Sequence, residues 1–178
     1  MERPGVDPLI AGLVAGDERA YVALYDQFAG RLGRTAMGIV RCREDAEDAV
    51  QEVFMGVLQS RHRLGNVQDL TAYLFTALRR AAGRAAARSV RGQALLEAAA
   101  GALPTAADRQ DHSGPWSDRL QRALLALPDE QREVISLKID GELTFAQIAQ
   151  VIGVSVNTAA SRYRYALERL RTSLEAFK

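Results

Sequence analysis

The segment Thr144–Arg171 constrains the fold of this chain most, because it carries start and stop signals for two consecutive helices. Thr144 and Gln147 have the spacing of a capping box, in which each side chain satisfies a backbone N–H at a helix start. Gly153 accepts the positive φ at which helices commonly end, and Ser155 can cap the helix that follows. The segment therefore predicts a helix–turn–helix.

The second of these helices has two chemically different faces. Spacings of three and four residues place an apolar set on one side, which we expect to pack inward: Val156, Ala159, Tyr163, Ala166, Leu167 and Leu170. The opposite side presents Asn157, Ala160, Ser161, Arg164, Tyr165 and Glu168. Amide, hydroxyl and guanidinium groups near a helix start are what the reading of base edges in the major groove requires. The pattern favours DNA recognition, and the alternative is a helical hairpin in a bundle that binds no DNA.

The rest of the composition excludes several classes of function. A single cysteine, Cys42, allows neither a disulfide framework nor a Cys-based zinc site, and His62 and His112 are too far apart for a local metal motif. No apolar run approaches the ~20 residues of a membrane span, and the N-terminus lacks the order of a signal peptide. No nucleophile–base pair or phosphate-binding glycine loop is evident. We therefore expect a non-enzymatic, soluble cytoplasmic protein without a metal, a cofactor or a small-molecule substrate.

Helical periodicity runs through almost the whole chain, so we predict an all-α fold. Residues 101–115 interrupt the periodicity with glycine, proline, aspartate and serine, a composition typical of a linker. The expected organisation is two small helical domains, residues 1–92 and 116–178, joined by a flexible linker over 93–115. The second of them is expected to have four helices, including the helix–turn–helix.

The first domain is expected to contain a short helix over Pro8–Ala15 and a longer one capped by Asp17, which Gly30 and Gly33 weaken enough to permit a break. The buried stripe predicted for the longer helix consists of Ala20, Leu24, Phe28, Leu32, Ala36 and Val40. A third helix, about Glu44–Ser60, has an apolar side and an outer side that collects polar and acidic residues: Asp45, Asp48, Gln51, Glu52 and Gln59. Part of this acidity suits the positive end of the helix dipole. Such a face is either a protein contact or a solvated surface.

The next helical stretch, from Leu70 onward, carries a stripe of arginines on one side: Arg80, Arg84, Arg88 and Arg91. No acid lies among them in the sequence, so ion pairs within the helix cannot account for the stripe. Guanidinium groups in a row on an alanine-rich helix are suited to phosphate oxygens. We interpret the stripe as a nucleic-acid contact, with a solvated cationic face as the alternative.

At this point the chain resembles a known family, the extracytoplasmic-function (ECF) branch of the bacterial RNA polymerase sigma factors. Two motifs carry the resemblance, and together they extend over about 17–91 and 117–174. The first, Asp45-Ala46-Glu47-Asp48 followed by Gln51-Glu52 and Phe54, is similar to the helix that binds core polymerase. The second is similar to the family's fourth region and comprises Leu127-Pro128, Gln131-Arg132, Phe145–Ala149, Val156–Thr158, Ser161-Arg162 and Leu170-Arg171.

The resemblance implies a role for each matching surface. Asp45, Asp48, Gln51 and Glu52 would contact the clamp helices of the polymerase β′ subunit. The predicted loop Leu64–Asp69, with Asn66, and the helix after it would engage and melt the −10 promoter element; the residues are Asn66, Arg79, Arg80, Arg84, Arg88 and Arg91. The −35 element would be read by Asn157, Thr158, Ser161, Arg162, Arg164 and Tyr165. The implied partners are core RNA polymerase, through the β′ clamp helices and the β flap, and promoter DNA, with an anti-sigma factor as a further partner that the family allows.

The sequence departs from the family along the predicted −10 helix. Tyr73-Leu74 stands where Trp-Leu is usual, and Arg79 matches the family arginine. Arg80 replaces the usual asparagine and Arg84 the usual aspartate. The resemblance therefore leaves open how the −10 element is read.

Two other classes of function remain open at this stage. One is a plain helix–turn–helix regulator with a helical sensor domain, which has no need of the acidic face. The other is a sigma-like protein that sequesters an anti-sigma factor without binding DNA. The retained Ser161, Arg162 and Arg164 argue against the second class.

Overall fold

The computed structural model describes the backbone of residues 7–40, 42–100 and 115–175, and their side chains except those of 89–100 and 115–117. Within these ranges every regular element is helical, which confirms the all-α fold class. The first domain consists of α1 (Pro8–Ala15), α2 (Glu18–Ile39), α3 (Arg43–Gln59), a 3₁₀ helix (Arg61–Asn66) and α4 (Leu70–Ala100). The second consists of α5 (Pro115–Leu125), α6 (Asp129–Ile139), α7 (Phe145–Ile152) and α8 (Val156–Glu175). None of the described helices is long and apolar enough to cross a membrane.

The predicted helix signals are present in the structure as hydrogen bonds. Asp17 Oδ1 accepts from the backbone N–H of Arg19 at 2.9 Å at the start of α2. Thr144 and Gln147 form the reciprocal capping box of α7, which ends at Gly153 with φ at 72°. The backbone N–H of Thr158 donates to Ser155 Oγ at 3.0 Å at the start of α8. The helix–turn–helix prediction is therefore confirmed.

The first domain is built around the buried stripe of α2. All six residues predicted for that stripe are buried: Ala20, Leu24, Phe28, Leu32, Ala36 and Val40. The helix continues without interruption through Gly30 and Gly33, so the break that the sequence permits does not occur. Packing of α2 against α3 and α4 offsets the low helix propensity of these glycines.

Two expectations from the sequence need correction. The predicted loop Leu64–Asp69 begins inside the 3₁₀ helix Arg61–Asn66. On α8, Val156 and Leu167 are 48% and 44% exposed, although we expected both to pack inward. At about 100° per residue they lie roughly 60° and 80° away from buried Ala159, at the margin of the stripe, where no neighbouring helix covers them fully.

The two domains pack directly against each other in the structure. α6 contacts α2, and α7 contacts α4. The main cluster of buried apolar side chains is continuous across this boundary: it joins residues such as Phe28 and Phe75 of the first domain to Val134, Leu137 and Ile148 of the second. A smaller, separate cluster inside the second domain consists of Ala123, Leu127, Ile135, Ala166 and Leu170.

Polar contacts cross the same boundary as well. The buried guanidinium of Arg132 donates from Nε to the carbonyl oxygen of Gly38 at 3.2 Å. Arg31 donates to the carbonyl oxygen of Gly141 from Nε at 3.1 Å and also from Nη2. Arg79, which the sequence analysis assigns to the −10 surface, donates to Glu133 of α6. Gln147 of α7 donates to Asp69, the residue that caps α4.

Gly38 sets how closely α2 and α6 approach. A Cβ built on Gly38 would lie 1.8 Å from Ser136 Oγ and 2.6 Å from Ser136 Cβ, both far inside van der Waals contact. Ser136 is itself buried, so its side chain has little freedom to move away. The absence of a side chain at residue 38 is therefore a condition of the interdomain contact.

Asp140, at the end of α6, gives this fold a pH-dependent component of stability. Burial raises the pKa of Asp140 above its ordinary value of 3.8, and the nearby positive charge of Arg34 on α2 opposes that shift only in part. Below pH 3.8 the carboxyl is protonated in folded and unfolded chains alike. As the pH rises above that value, the unfolded chain ionises first, so the free energy of unfolding falls.

We predict that Asp140→Asn raises the melting temperature at pH 7, because the amide has the shape of the carboxylate without its desolvated charge. The advantage should shrink as the pH is lowered towards 3.8, which thermal unfolding at a series of pH values measures. Asp118→Asn, an exposed change of the same kind on α5, is the control. A gain for Asp140→Asn that is equal at all pH values would contradict this explanation.

Candidate nucleic-acid interface

The acidic side of α3 forms an exposed polar surface. Asp48, Gln51 and Glu52 are exposed and Asp45 is half-buried, while Ala46, Ala49, Val53 and Val57 on the other side of the helix are buried. The predicted separation of the two faces is therefore present.

An open groove of about 570 Å³ adjoins this surface between α2 and α3. Its lining is mainly apolar and includes Tyr25, Met37, Val50, Phe54 and Met55. The rings of Tyr25 and Phe54 pack with their centroids 5.1 Å apart. Tyr25 and Met55 are 59% and 47% exposed, so the acidic surface has an apolar neighbour of the kind found at the centre of protein interfaces. Periodicity alone does not find this groove, because Tyr25 lies off the buried stripe of α2.

The lone cysteine lies at the start of α3 and has a structural partner. Cys42 Sγ donates to Glu44 Oε2 at 2.6 Å. This hydrogen bond raises the pKa of the Cys42 thiol and lowers the pKa of the Glu44 carboxyl. A thiol whose pKa is raised is a poorer nucleophile at neutral pH. Among the described residues, no cluster of three or more His, Cys, Asp or Glu side chains could hold a metal ion.

The arginine side of α4 is partly engaged with acids from other helices. Arg80 and Arg88 are exposed, whereas the side chain of Arg91 lies outside the described residues. Arg84 Nη2 pairs with Glu52 of α3, and Arg79 Nε donates to Glu133 of α6 at 2.6 Å. Among the described arginines of α4, the ion pairs of Arg79 and Arg84 are made with acids of α6 and α3 rather than with acids of α4 itself. The residues assigned to polymerase and to the −10 element therefore contact each other at Glu52 and Arg84.

The segment before α4 holds the remaining residue assigned to the −10 element. Asn66 is exposed at the end of the 3₁₀ helix. Three residues later, Asp69 caps α4 by accepting from the backbone N–H of Ala72 at 2.8 Å through Oδ1. Its second oxygen, Oδ2, accepts from Gln147 Nε2 at 2.9 Å. The segment before α4 is thus joined to the first helix of the helix–turn–helix.

The outer face of α8 presents most of the residues predicted for DNA. Asn157, Thr158, Arg164 and Tyr165 are exposed, and Ser161 is half-buried. The Arg164 guanidinium lies over the Tyr165 ring at 5.2 Å from its centroid. Arg162 is not on this face, because its half-buried side chain turns towards α6.

Arg162 instead forms an ion pair inside the second domain. Its Nη2 is 2.7 Å from Glu130 Oε2. With a side chain only 26% exposed, Arg162 supports the packing of α8 on α6. The other residues of the predicted −35 set lie together at the N-terminal half of α8, with the donors and acceptors that base edges require.

Comparisons with known proteins identify the class of this two-domain helical protein, which has an exposed helix–turn–helix and a second charged surface: it matches families of transcription proteins. Residues 24–92 match the Sigma-70 region 2 family and residues 117–170 match the Sigma-70, region 4 family. The two matches include α3, most of α4, α7 and most of α8. The region 2 match lies in the part of the chain where a plain regulator would have an unrelated sensor domain.

Whole-chain relatives agree with these matches. The ECF RNA polymerase sigma factor SigL of Mycobacterium tuberculosis (strain Erdman) is 30% identical over 169 residues, which are 93% of this chain and 95% of SigL. The ECF RNA polymerase sigma factor SigK of Mycobacterium tuberculosis (strain H37Rv) is 27% identical over 96% of this chain and 94% of SigK. The chain belongs to the family of ECF RNA polymerase sigma factors. It is an alternative sigma factor, which directs core RNA polymerase to specific promoters and initiates transcription; such proteins are regulatory rather than catalytic.

Solved structures show the same fold. CnrH, in complex with the cytosolic domain of CnrY, superposes with a TM-score of 0.67 at 24% identity, over 96% of this chain and 97% of CnrH. The sigma factor RpoE of Bartonella quintana, in complex with the anti-sigma factor NepR, gives a TM-score of 0.68 at 22% identity, over 90% of this chain and 99% of RpoE.

We predict that the Glu52–Arg84 pair couples α3 to α4 only weakly. Both side chains are about half exposed, so water screens the pair, and a double-mutant cycle of Glu52→Gln and Arg84→Gln should give a coupling energy below about 1 kcal/mol. Chemical denaturation of the four proteins measures it. The Arg43–Glu47 pair within α3 is the comparison, since it is exposed and lies within one helix. A Glu52–Arg84 coupling well above 1 kcal/mol would show that the pair is a structural element unavailable to partners.

Proposed function

We propose that this sigma factor divides its binding among three surfaces: the acidic side of α3 with its groove binds core polymerase, the segment 64–69 with α4 binds the −10 element, and α8 binds the −35 element. The corresponding domain boundaries are residues 1–92 and 116–178. The observation that carries the proposal is that each surface presents exposed side chains and that the three surfaces lie on different helices.

The polymerase surface combines charge with apolar area. Asp48, Gln51 and Glu52 provide carboxylates and an amide, and the groove beside them provides Tyr25 and Phe54 as apolar contacts. Acidic rims steer a basic partner, and exposed aromatic residues supply most of the contact energy in such interfaces. The clamp helices of the β′ subunit are the partner that the family relationship indicates. The β flap is the corresponding partner of the second domain.

The −10 surface is richer in charge than in groups that discriminate bases. Arg80, Arg84, Arg88 and Arg91 stand in one stripe, and guanidinium groups in such a row bind phosphate oxygens without reading sequence. Asn66 supplies the one amide of this set. We therefore assign affinity mainly to the stripe of α4, and selectivity at the −10 element to the segment around Asn66.

An anti-sigma factor is the third partner that we propose. RpoE of Bartonella quintana is solved with the anti-sigma factor NepR, and its fold is shared by this chain. An inhibitor that covered the groove between α2 and α3 would exclude polymerase from the same surface.

Reversal of the acidic surface tests the polymerase assignment. We predict that Asp48→Lys with Glu52→Lys weakens binding to core polymerase at least tenfold, because four units of charge change on one exposed side of α3. Pull-down of purified core polymerase and run-off transcription measure it, beside circular dichroism to show that helix content is kept. The control is Glu18→Lys with Asp26→Lys, the same charge change at exposed positions of α2.

The effect of Glu52→Lys includes its repulsion of Arg84, so Asp48→Lys alone is the cleaner variant. It should weaken binding in the same direction, by a smaller factor. Equal binding by wild type, the double reversal and the control pair would remove α3 from the polymerase contact.

The −35 assignment predicts a specific loss of selectivity. Arg164 is exposed on α8 and can donate two hydrogen bonds to guanine O6 and N7, a contact that discriminates by about 1–3 kcal/mol. Arg164→Ala should therefore relax base preference at one or two positions of the −35 element, about 5- to 150-fold at each. Binding to a randomised −35 library measures it. Arg169→Ala, an exposed arginine further along α8, is the control. A uniform loss over all sequences would instead assign Arg164 to a phosphate.

A further inference from the structure

The segment before α4 has little support of its own. It contains the 3₁₀ helix Arg61–Asn66, and runs of more than three or four residues are uncommon in this conformation because its hydrogen bonds are poorly aligned. Leu64 is fully buried, whereas the other five residues of this helix are exposed. Asn66 follows Leu64 by two residues, so the two Cα atoms lie within about 7 Å of each other. Whatever holds Leu64 in place therefore also sets the position of Asn66.

The helix α1 packs against this 3₁₀ helix. The buried residues of α1 are Ile10 and Leu13, which belong to the same apolar cluster as Leu64. A helix of eight residues is not stable alone in water, so α1 depends on its packing against the 3₁₀ helix and against α2. The 3₁₀ helix touches α3, from which it continues, less extensively than it touches α1. α1 is therefore the main support behind the segment.

Two glycines allow α1 to lie close to its neighbours. A Cβ built on Gly12 would be 2.7 Å from the Cβ of Ala20 on α2, closer than Cβ atoms come to other atoms in proteins. Gly16 ends α1 with φ at 79°, and a Cβ there would collide with the guanidinium of Arg61. Arg61 is the first residue of the 3₁₀ helix, and a cation beside the C-terminal end of a helix is favoured by the helix dipole. Both ends of the 3₁₀ helix thus depend on the seat of α1.

We propose that α1 is a positioning element for promoter selectivity: by holding the 3₁₀ helix from behind, it fixes where Asn66 is presented to the −10 element. The proposal rests on the proposed assignment of −10 selectivity to the segment around Asn66. α1 lies before residue 24, where the region 2 match begins, so that match gives this helix no role. Residues of α1 act through the 3₁₀ helix and touch no DNA in this account.

The arrangement of the helices predicts that selectivity can be lost without affinity. The arginine side of α4 belongs to a helix that packs against α2, α3 and α7, and among the described residues α4 has no extensive contact with α1. Loosening α1 should therefore leave phosphate binding by α4 in place. It should let Asn66 occupy several positions, and only the chains that keep the segment seated would discriminate among −10 sequences.

Gly12 offers a selective way to loosen α1. The methyl group of Gly12→Ala would meet the Cβ of Ala20, which is fixed to the backbone of α2 and cannot turn away. Ala20→Gly removes that atom, so the compensated variant, Gly12→Ala with Ala20→Gly, should restore the contact. Gly30→Ala is the matched control, because it also adds a methyl group to a helical glycine. Apart from the backbone of its own helix, that methyl group meets only the tip of the flexible Arg34 side chain, at 3.3 Å.

Hydrogen–deuterium exchange in the full chain measures the support directly. In Gly12→Ala the amides of residues 61–69 should exchange at least about threefold faster than in wild type, while those of α8 stay unchanged. Gly30→Ala and the compensated variant should match wild type. Ile10→Ala, which removes buried apolar atoms from α1, is the second variant in case Gly12→Ala loses helix content. Val40→Ala, in the same apolar cluster at the other end of α2, controls for loss of stability.

Transcription by holoenzyme from randomised −10 and −35 libraries then measures selectivity. Gly12→Ala should reduce discrimination among −10 sequences at least about threefold, in proportion to the chains whose segment has left its seat. Preferences at the −35 element and binding to core polymerase should stay within about twofold of wild type, and the compensated variant should recover −10 discrimination. Asn66→Ala in the same assay shows whether the segment reads the −10 element.

Each outcome bears on the positioning role or on the surface that it serves. Wild-type exchange in both Gly12→Ala and Ile10→Ala would overturn the proposal, and so would faster exchange with unchanged −10 discrimination. Equal losses at the −10 and −35 elements, or the same loss in Val40→Ala, would mean general loosening of the fold and would also overturn it. If Asn66→Ala changes the −10 preference and Gly12→Ala does not, the positioning role alone is wrong. An unchanged preference in Asn66→Ala refutes the assignment of selectivity to the segment, and the proposal with it.

Discussion

The close approach of α2 and α6 is the constraint on which the arrangement of this sigma factor depends. It requires Gly38 to lack a side chain, and it places the Gly38 carbonyl oxygen where the buried Arg132 guanidinium can donate to it. Arg132 also donates to the carbonyl oxygen of Leu127 at 3.2 Å and to Asp129 at 2.7 Å, so its charge is shared among acceptors of both domains. Loss of one of these acceptors leaves a buried cationic group unsatisfied, which costs more than the net value of an ordinary hydrogen bond.

The difference between this contact and the surface ion pairs decides which interactions a partner can displace. In the Arg84–Glu52 pair, both side chains are about half exposed to water. Pairs of that kind contribute less than about 1 kcal/mol, so DNA phosphates or polymerase can take one member without unfolding the protein. The pair joins a residue of the proposed polymerase surface to one of the proposed −10 surface, so the two proposed surfaces share a charge contact. Arg132, which is 7% exposed, has no comparable alternative.

Features of the fold that depend on residues close together in the sequence can be predicted from it, whereas contacts between different helices cannot. The caps of α2, α7 and α8 and the buried stripe of α2 depend on residues within one or two turns, and they were predicted correctly. The partners of Arg84 and Arg162 come from other helices, so no spacing within their own helix reveals them. Gly38 is the clearest case. In the sequence, a glycine at this position only weakens a helix. The need for a glycine comes from Ser136, which lies far along the chain and would collide with a side chain at residue 38. The exposure of Val156 and Leu167 could not be predicted from the sequence either, because it depends on which helix lies beside α8.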